Sequence, residues 1–197
     1  PRLAYGRLTG WGQDGPLAQQ AGHDLTYLAL TGVLNAIGRK GEPPVPPVNL
    51  LGDYAGGSLM MVIGLLAAIH AARATGEGQV VDAAIVDGVS LLAAPTLGLA
   101  AAGVHKGGRG ENLLDGGAPH YDSYICADGG YFAIAPIEGK FRHELLEGLG
   151  FDPDAFPDVT QTENWPEARR LLAERIATRP RDDWAGIFAE TDACAAP

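Results

Sequence analysis

Cysteine is almost missing from this 197-residue chain. The two present, Cys126 and Cys194, are far apart and form neither a CxxC pair nor a metal-ligand spacing. That pattern argues against a disulfide scaffold or a zinc site and suits a reducing compartment, so the cytoplasm is the expected location and both thiols read as small apolar side chains. Positive charge is also scarce. Fourteen Lys and Arg stand against 24 Asp and Glu, giving a formal charge of -10. Residues 1–100 carry 5 basic and 7 acidic side chains, and residues 101–197 carry 9 and 17. A phosphate backbone would be repelled, so nucleic acid is excluded as a partner. Long apolar runs are lacking too. "SLMMVIGLLAAI" (58–69) is short for a bilayer and ends at His70, and the next run is interrupted by Asp82, Asp87 and Pro95, so neither a membrane span nor a signal peptide is expected. The chain opens on Pro1 within an extended pattern and closes on "TDACAAP". It reads as a fragment trimmed at both ends, whose missing segments could hold half of a binding site and any targeting signal.

What is present is a folding chain, with 46% hydrophobic residues, enough for one large domain or two small ones. Residues 2–9 alternate as a strand and run into a glycine-rich turn. "DLTYLALTGVLNAIG" (24–38) has near-helical apolar spacing and a stop at Gly38. Residues 41–53 hold four prolines and must be extended. From Tyr54 to about Thr75 the pattern is helical, apolar nearly all round and therefore expected to be buried, with Gly76 closing it. Residues 79–86 read as a strand, and 87–103 as a helix kinked or broken by Pro95. This α/β order implies a domain over 1–105. Five glycines within residues 104–119 mark a loop, and 106–119 is taken as a linker. A smaller α+β unit follows over 120–197, with two strands around Asp128-Gly129-Gly130 and helices near 139–149, 164–178 and 181–190.

Three acid-base candidates stand out. In "QQAGHDLTYLALTG", His23 precedes Asp24, which reads as the cap of the following helix. In "NLLGDYAGGSL", Asp53 opens the long helix amid glycines that let a ligand approach the backbone. In "AIAPIEGKF", Glu138 opens another helix. Each position alone is explained by helix capping or the helix dipole. All three lie at loop-to-helix junctions, where α/β folds present functional groups. "GWGQDG" (Gly10, Gly12, Gly15) mimics a dinucleotide fingerprint, but no crossover helix or acid follows at the required distance, so it reads as a tight surface turn.

Together, "AGHDLTYLALTG", "PVPPVNLLGDYAGGSL", "GEGQVVDAAIVDG", "GGAPHYDSYICADGGYFAIAPIE" and "TDAC" resemble the alpha-methylacyl-CoA racemases, a branch of the family III CoA-transferase superfamily. The likeness covers the whole chain in order. It implies part of a large α/β domain followed by part of a smaller α+β domain, with two subunits threaded through each other as an interlocked homodimer. It also implies that His23 and Asp53 are paired acid/base groups, that Glu138 hydrogen-bonds the histidine, and that Ala21, Gly22, Asp24, Leu25 and Thr26 help to bind the CoA thioester. The part of the large domain that supplies most phosphate-binding basic residues is not in this sequence, so the isolated chain is expected to be inactive.

Inversion next to a thioester carbonyl requires a proton to leave one face of the α-carbon and another to arrive on the opposite face. Two opposed groups do this readily, and such catalysis is worth about 10² to 10⁴-fold. The enolate between the steps needs preorganised donors, for which the backbone of "AGGS" (55–58) is the expected source. No metal or redox cofactor is required, since coenzyme A belongs to the substrate. Two other readings remain open. A CoA-transferase would use Asp53 as a nucleophile. A non-catalytic paralogue would merely associate through the apolar helix.

Overall fold

A computed structural model describes residues 2–105 and 107–197. The chain folds as two compact units, Pro1–Gly38 with Glu42–Lys106, and Arg39–Gly41 with Gly107–Pro197.

In the first unit, β1 (Ala4–Thr9) pairs in parallel with β2 (Gln79–Ala84), in a register that runs from Ala4 opposite Gln79 to Thr9 opposite Ala84. A parallel pair needs a long crossover. Here it contains α1 (Asp24–Leu30), a 3-10 turn at Val33–Ala36, a π-helical segment at Leu50–Leu59 and α2 (Met60–Thr75). The helix expected over 24–38 therefore stops early. Gly32 takes a left-handed φ of 80° and redirects the chain into the 3-10 turn. Gly76 closes α2 as expected, with φ 84° and its N–H bonded to the Ala72 carbonyl.

Close packing of α2 on the two strands depends on missing side chains. A Cβ on Gly6 would lie 2.5 Å from Met61 Sδ, and one on Gly64 would lie 2.5 Å from Val81 Cγ1. α3 (Ile85–Ala101) crosses the π-helical segment just as closely, since a Cβ on Gly88 would meet the Gly56 carbonyl oxygen at 1.8 Å. The small core here is Tyr27, Leu28, Ile85 and Val89. Pro95 lies inside α3 without ending it, so the helix is not broken there. Pro95 is exposed and Leu91, whose carbonyl loses its helical partner, is 63% exposed, so water can satisfy that oxygen.

α2 also departs from expectation, because its apolar surface is only partly covered. Met61, Ala68 and Ala72 are buried, while Leu59, Val62, Ile63, Leu66 and Ile69 are exposed. The π and α segments together form one 26-residue run, Leu50–Thr75, long and apolar enough to cross a bilayer by length and composition. Asp53, His70 and Arg73 interrupt that run, and one side of it is packed against the strands and α3. Both features fit a domain helix better than a lipid-exposed one.

In the second unit, β3 (Asp122–Ile125) and β4 (Tyr131–Ile134) form a hairpin around Asp128-Gly129-Gly130. Gly129 takes φ 81°, and Asp128 Oδ1 accepts from the Gly130 N–H. β5 (Ala195–Ala196) adds antiparallel to β4, an element too short to show any sequence period. α4 (Gly139–Leu149), α5 (Trp165–Ile176) and α6 (Arg181–Phe188) cover the sheet. Phe132, Ile134, Leu145, Leu149, Leu172 and Trp184 lead the core, with the Trp184 indole N–H donating to the Ile176 carbonyl at 2.8 Å. Cys126 belongs to this core, where burial pushes its thiol pKa up. Cys194 does not. It is exposed with φ 51°, so only one of the two thiols behaves as a buried apolar residue.

The glycine-rich stretch after residue 106 is organised by one carboxylate. Asp115 accepts from the N–H groups of Gly110, Asn112 and Gly117. Nearby, Asp122 is held between Arg39 and Arg169, and Arg169 also donates to the carbonyls of Gly116 and Gly117.

Candidate functional site

The site is built where α1 meets the π-helical segment. α1 begins after Gly22, and its N-cap is His23, in extended conformation at φ -136° and ψ 169°. Thr26 fixes this corner. Its hydroxyl accepts from the His23 N–H at 3.0 Å and donates to the His23 carbonyl at 2.7 Å. The backbone of His23 is thus tied while its imidazole faces solvent.

Asp24 is not the cap of its own helix. It is the first helical residue, only 5% exposed, and its carboxylate points to a different element. Asp24 Oδ2 accepts from the main-chain N–H of Gly52 at 2.7 Å and of Asp53 at 2.8 Å. These are first-turn amides of the π-helical segment, which have no partner within their own helix. Hydrogen bonds to a charged acceptor contribute about 1.5–3 kcal/mol each. The expected local cap is replaced by a contact spanning 28 and 29 residues.

Asp53 is likewise not an N-cap. The segment begins at Leu50 with Asn49 as its cap, and Asp53 is its fourth residue, half-buried. Asn49 Nδ2 donates to Asp53 Oδ2 at 3.4 Å, and Ser58 Oγ donates to the Asp53 carbonyl at 2.8 Å. π-helical turns are uncommon and concentrate at functional positions. Gly52, Gly56 and Gly57 are buried here, so the glycines of "GDYAGGS" serve close helix contacts. This corrects the expectation for Ala55–Ser58. Their amides lie inside a helix that starts at Leu50, so they do not form a free helix start for an enolate. The N–H groups of Asp24 and Leu25, the first two residues of α1, lie before its hydrogen-bond ladder.

Two aromatic residues back this corner. Trp11 meets Tyr27 edge-on with ring centroids 4.6 Å apart, and the Trp11 indole N–H donates to the Gln20 carbonyl at 3.1 Å. Gly10 and Gly22 make room for them, since a Cβ on Gly10 would lie 2.3 Å from Tyr27 and one on Gly22 would lie 2.7 Å from Trp11. Burial raises the Tyr27 phenol pKa, and the charge of Asp53 raises it further. Tyr27 and Asp53 are therefore electrostatic neighbours. The "GWGQDG" stretch is a turn, with Gly12 at φ 99° and Gly15 at φ 98°.

The structure thus brings His23, Asp24 and Asp53 to one corner of the first unit. Ala21 and Leu25 are exposed beside His23, Gly22 is half-buried, and the Thr26 hydroxyl is committed to the backbone. Glu138 belongs to the second unit, where it is the exposed N-cap of α4. Sequence reasoning missed Gly52 and Tyr27. Gly52 lies directly before Asp53, and Tyr27 sits one turn after His23 on α1, but neither spacing alone points to a role.

Fold and site together define an α/β protein of the CaiB/BaiF architecture. A crystal structure of a CaiB/BaiF family protein from Brucella suis matches with a TM-score of 0.75 and 27% identity, covering 100% of this chain and 53% of that one. The CoA-transferase family III profile matches residues 1–197, and the chain belongs to that family. Over 197 residues it is 44% identical to human and 43% identical to mouse alpha-methylacyl-CoA racemase. The alignment covers 100% of this chain and 52% of each relative, so the chain spans about half the length of the curated relatives it matches.

Proposed function

We propose that the protein to which this chain belongs is a racemase, an isomerase that inverts the α-carbon of 2-methylacyl-CoA thioesters. The observation that carries this reading is the pair of hydrogen bonds that the Gly52 and Asp53 amides donate to Asp24. It places the backbone of one acid/base candidate beside that of the other, since His23 is the neighbour of the residue that holds Asp53.

In this mechanism His23 and Asp53 face opposite sides of the acidic C–H. One removes the α-proton and the other returns a proton from the far side, exchanging roles in the reverse direction. The N–H groups of Asp24 and Leu25 would receive the negative charge that develops on the thioester oxygen. Ala21, Gly22, Leu25 and Thr26 would line the approach of the CoA thioester. Glu138 would orient the imidazole in the working protein, as a carboxylate does for histidine in hydrolytic triads. Coenzyme A enters as part of the substrate, and no separate cofactor has a step to perform. The working form would be an interlocked homodimer, for which light scattering on the full-length protein is the direct measurement.

The test follows wash-in of solvent deuterium at the α-carbon of each 2-methylacyl-CoA epimer with the full-length protein. His23→Ala and Asp53→Asn should each lower racemisation by at least about 10²-fold. Unchanged rates would remove the two-base reading. A hydroxylamine-sensitive acyl group trapped on Asp53 in the presence of a carboxylate acceptor would replace it with CoA transfer, the chemistry for which the family is named.

A further inference from the structure

We propose that the Asp24 carboxylate is a positioning group for one of the two proton transfers, the one made by Asp53. The inference rests on the racemase reading above.

Four observations carry it. Both amides, of Gly52 and of Asp53 itself, donate to a single oxygen, Asp24 Oδ2. The side chain is 5% exposed, so neither bond competes strongly with water. The space is filled to its limit, because a Cβ on Gly52 would lie 2.6 Å from Asp24 Oδ2 and 2.8 Å from its Cγ. Asp24 Oδ1 is buried without a partner. A buried carboxylate oxygen left unpaired carries a desolvation cost, and it is tolerated here while the other oxygen holds two amides.

The Asp24 carboxylate cannot itself reach a substrate, since it is enclosed. Its effect is exerted on the backbone that carries Asp53. Gly52 and Asp53 lie in the first turn of the π-helical segment, where their amides have no partner within the helix and are held by Asp24. Loss of the clamp lets that turn shift, and a displacement of about 1 Å can cost about 10²-fold in rate. His23 is held separately, through Thr26. The prediction is therefore asymmetric: transfer on the Asp53 face suffers more than transfer on the His23 face.

The test uses the full-length protein and measures deuterium wash-in from each 2-methylacyl-CoA epimer separately. Asp53→Asn first identifies the epimer whose α-proton faces Asp53. Asp24→Ala keeps the main-chain N–H of residue 24 and should slow wash-in from that same epimer by about 10²-fold, at least about tenfold more than it slows the other. Asp24→Asn keeps an acceptor in place but loses the charge, and it should restore about tenfold of that loss. Gly52→Ala crowds the same oxygen from the other side. It should produce the same selective loss, and this should largely vanish in the Asp24→Ala background, because residues in contact are not additive. If Asp24→Ala does not fold, Asp24→Asn and Gly52→Ala carry the test. Equal slowing of both epimers, or none, with Asp53→Asn still selective, overturns the Asp24 proposal alone. Loss of epimer selectivity in Asp53→Asn itself overturns the racemase reading and this proposal together.

Discussion

The pH dependence of stability in the second unit can be worked through from one side chain. His120 is 6% exposed and lines a cavity of about 340 Å³ together with Arg142, Phe156, Val159 and Leu172. Burial, reinforced by the Arg142 guanidinium, lowers its pKa from 6.5 to about 4. The native imidazole is thus neutral where the unfolded one is already charged, so between about pH 6.5 and pH 4 the unfolded chain binds the extra proton. Stability then falls as pH falls through that window, because acid favours whichever state binds more protons. At 1.36 kcal/mol per pKa unit the ceiling is about 3 kcal/mol, and residual solvent contact of the ring brings the expected value nearer 2. His120→Phe keeps an aromatic ring, whose slightly larger volume the adjoining cavity can take, and removes the titration. The assay is urea unfolding of the full-length protein, wild type against variant, at pH 7.5, 6.0 and 4.8. The stability difference should move in favour of the variant by about 2 kcal/mol across that range. A difference independent of pH would refute the reasoning, since every other titrating group is common to both proteins.

Two further expectations concern packing. Gly88→Ala places a Cβ 1.8 Å from the Gly56 carbonyl oxygen, and neither atom belongs to a side chain that can rotate away. Thermal unfolding should show a loss of about 1–3 kcal/mol, and a change under about 0.5 kcal/mol would show that the two helices separate freely. Phe132→Ala empties a fully buried site that contacts Phe188, with ring centroids 5.8 Å apart. It should cost about 3–5 kcal/mol by denaturant unfolding, and a loss under about 1 kcal/mol would mean that the core collapses into the space.

Much of this fold is legible in the sequence because its signals are local. The hairpin at Asp128-Gly129-Gly130 needs a positive φ at Gly129, and α2 stops where Gly76 supplies one. What was not legible depends on partners distant in sequence. Asp24 beside an apolar helical pattern satisfies every local rule for an N-cap, and nothing near it shows that its oxygen serves amides 28 residues away. Asp53 looked like a helix start because the preceding prolines argue for extended chain, yet the helix already begins at Leu50. Pro95 reads as a kink or a break, and the break does not occur because the carbonyl one turn earlier lies on the exposed face of α3, where water can reach it. The apolar circumference of α2 was read as full burial, while Val62, Ile63 and Leu66 remain exposed. The site was legible as residue types and as a family likeness. The bond that holds two of its members together was not.

The edge-on pair of Trp11 and Tyr27 has a practical consequence. The chain has three tryptophans: Trp11 in the first unit, and Trp165 and Trp184 in the second. Replacing the latter two with phenylalanine would leave a single tryptophan, excited selectively at wavelengths longer than tyrosine absorbs, lying against the segment that leads into His23. Keeping Trp184 alone would give an emitter sealed inside the other core. The polypeptide thus comes with separable optical reporters, one for each half, and melting of the two halves can be timed independently without any attached dye.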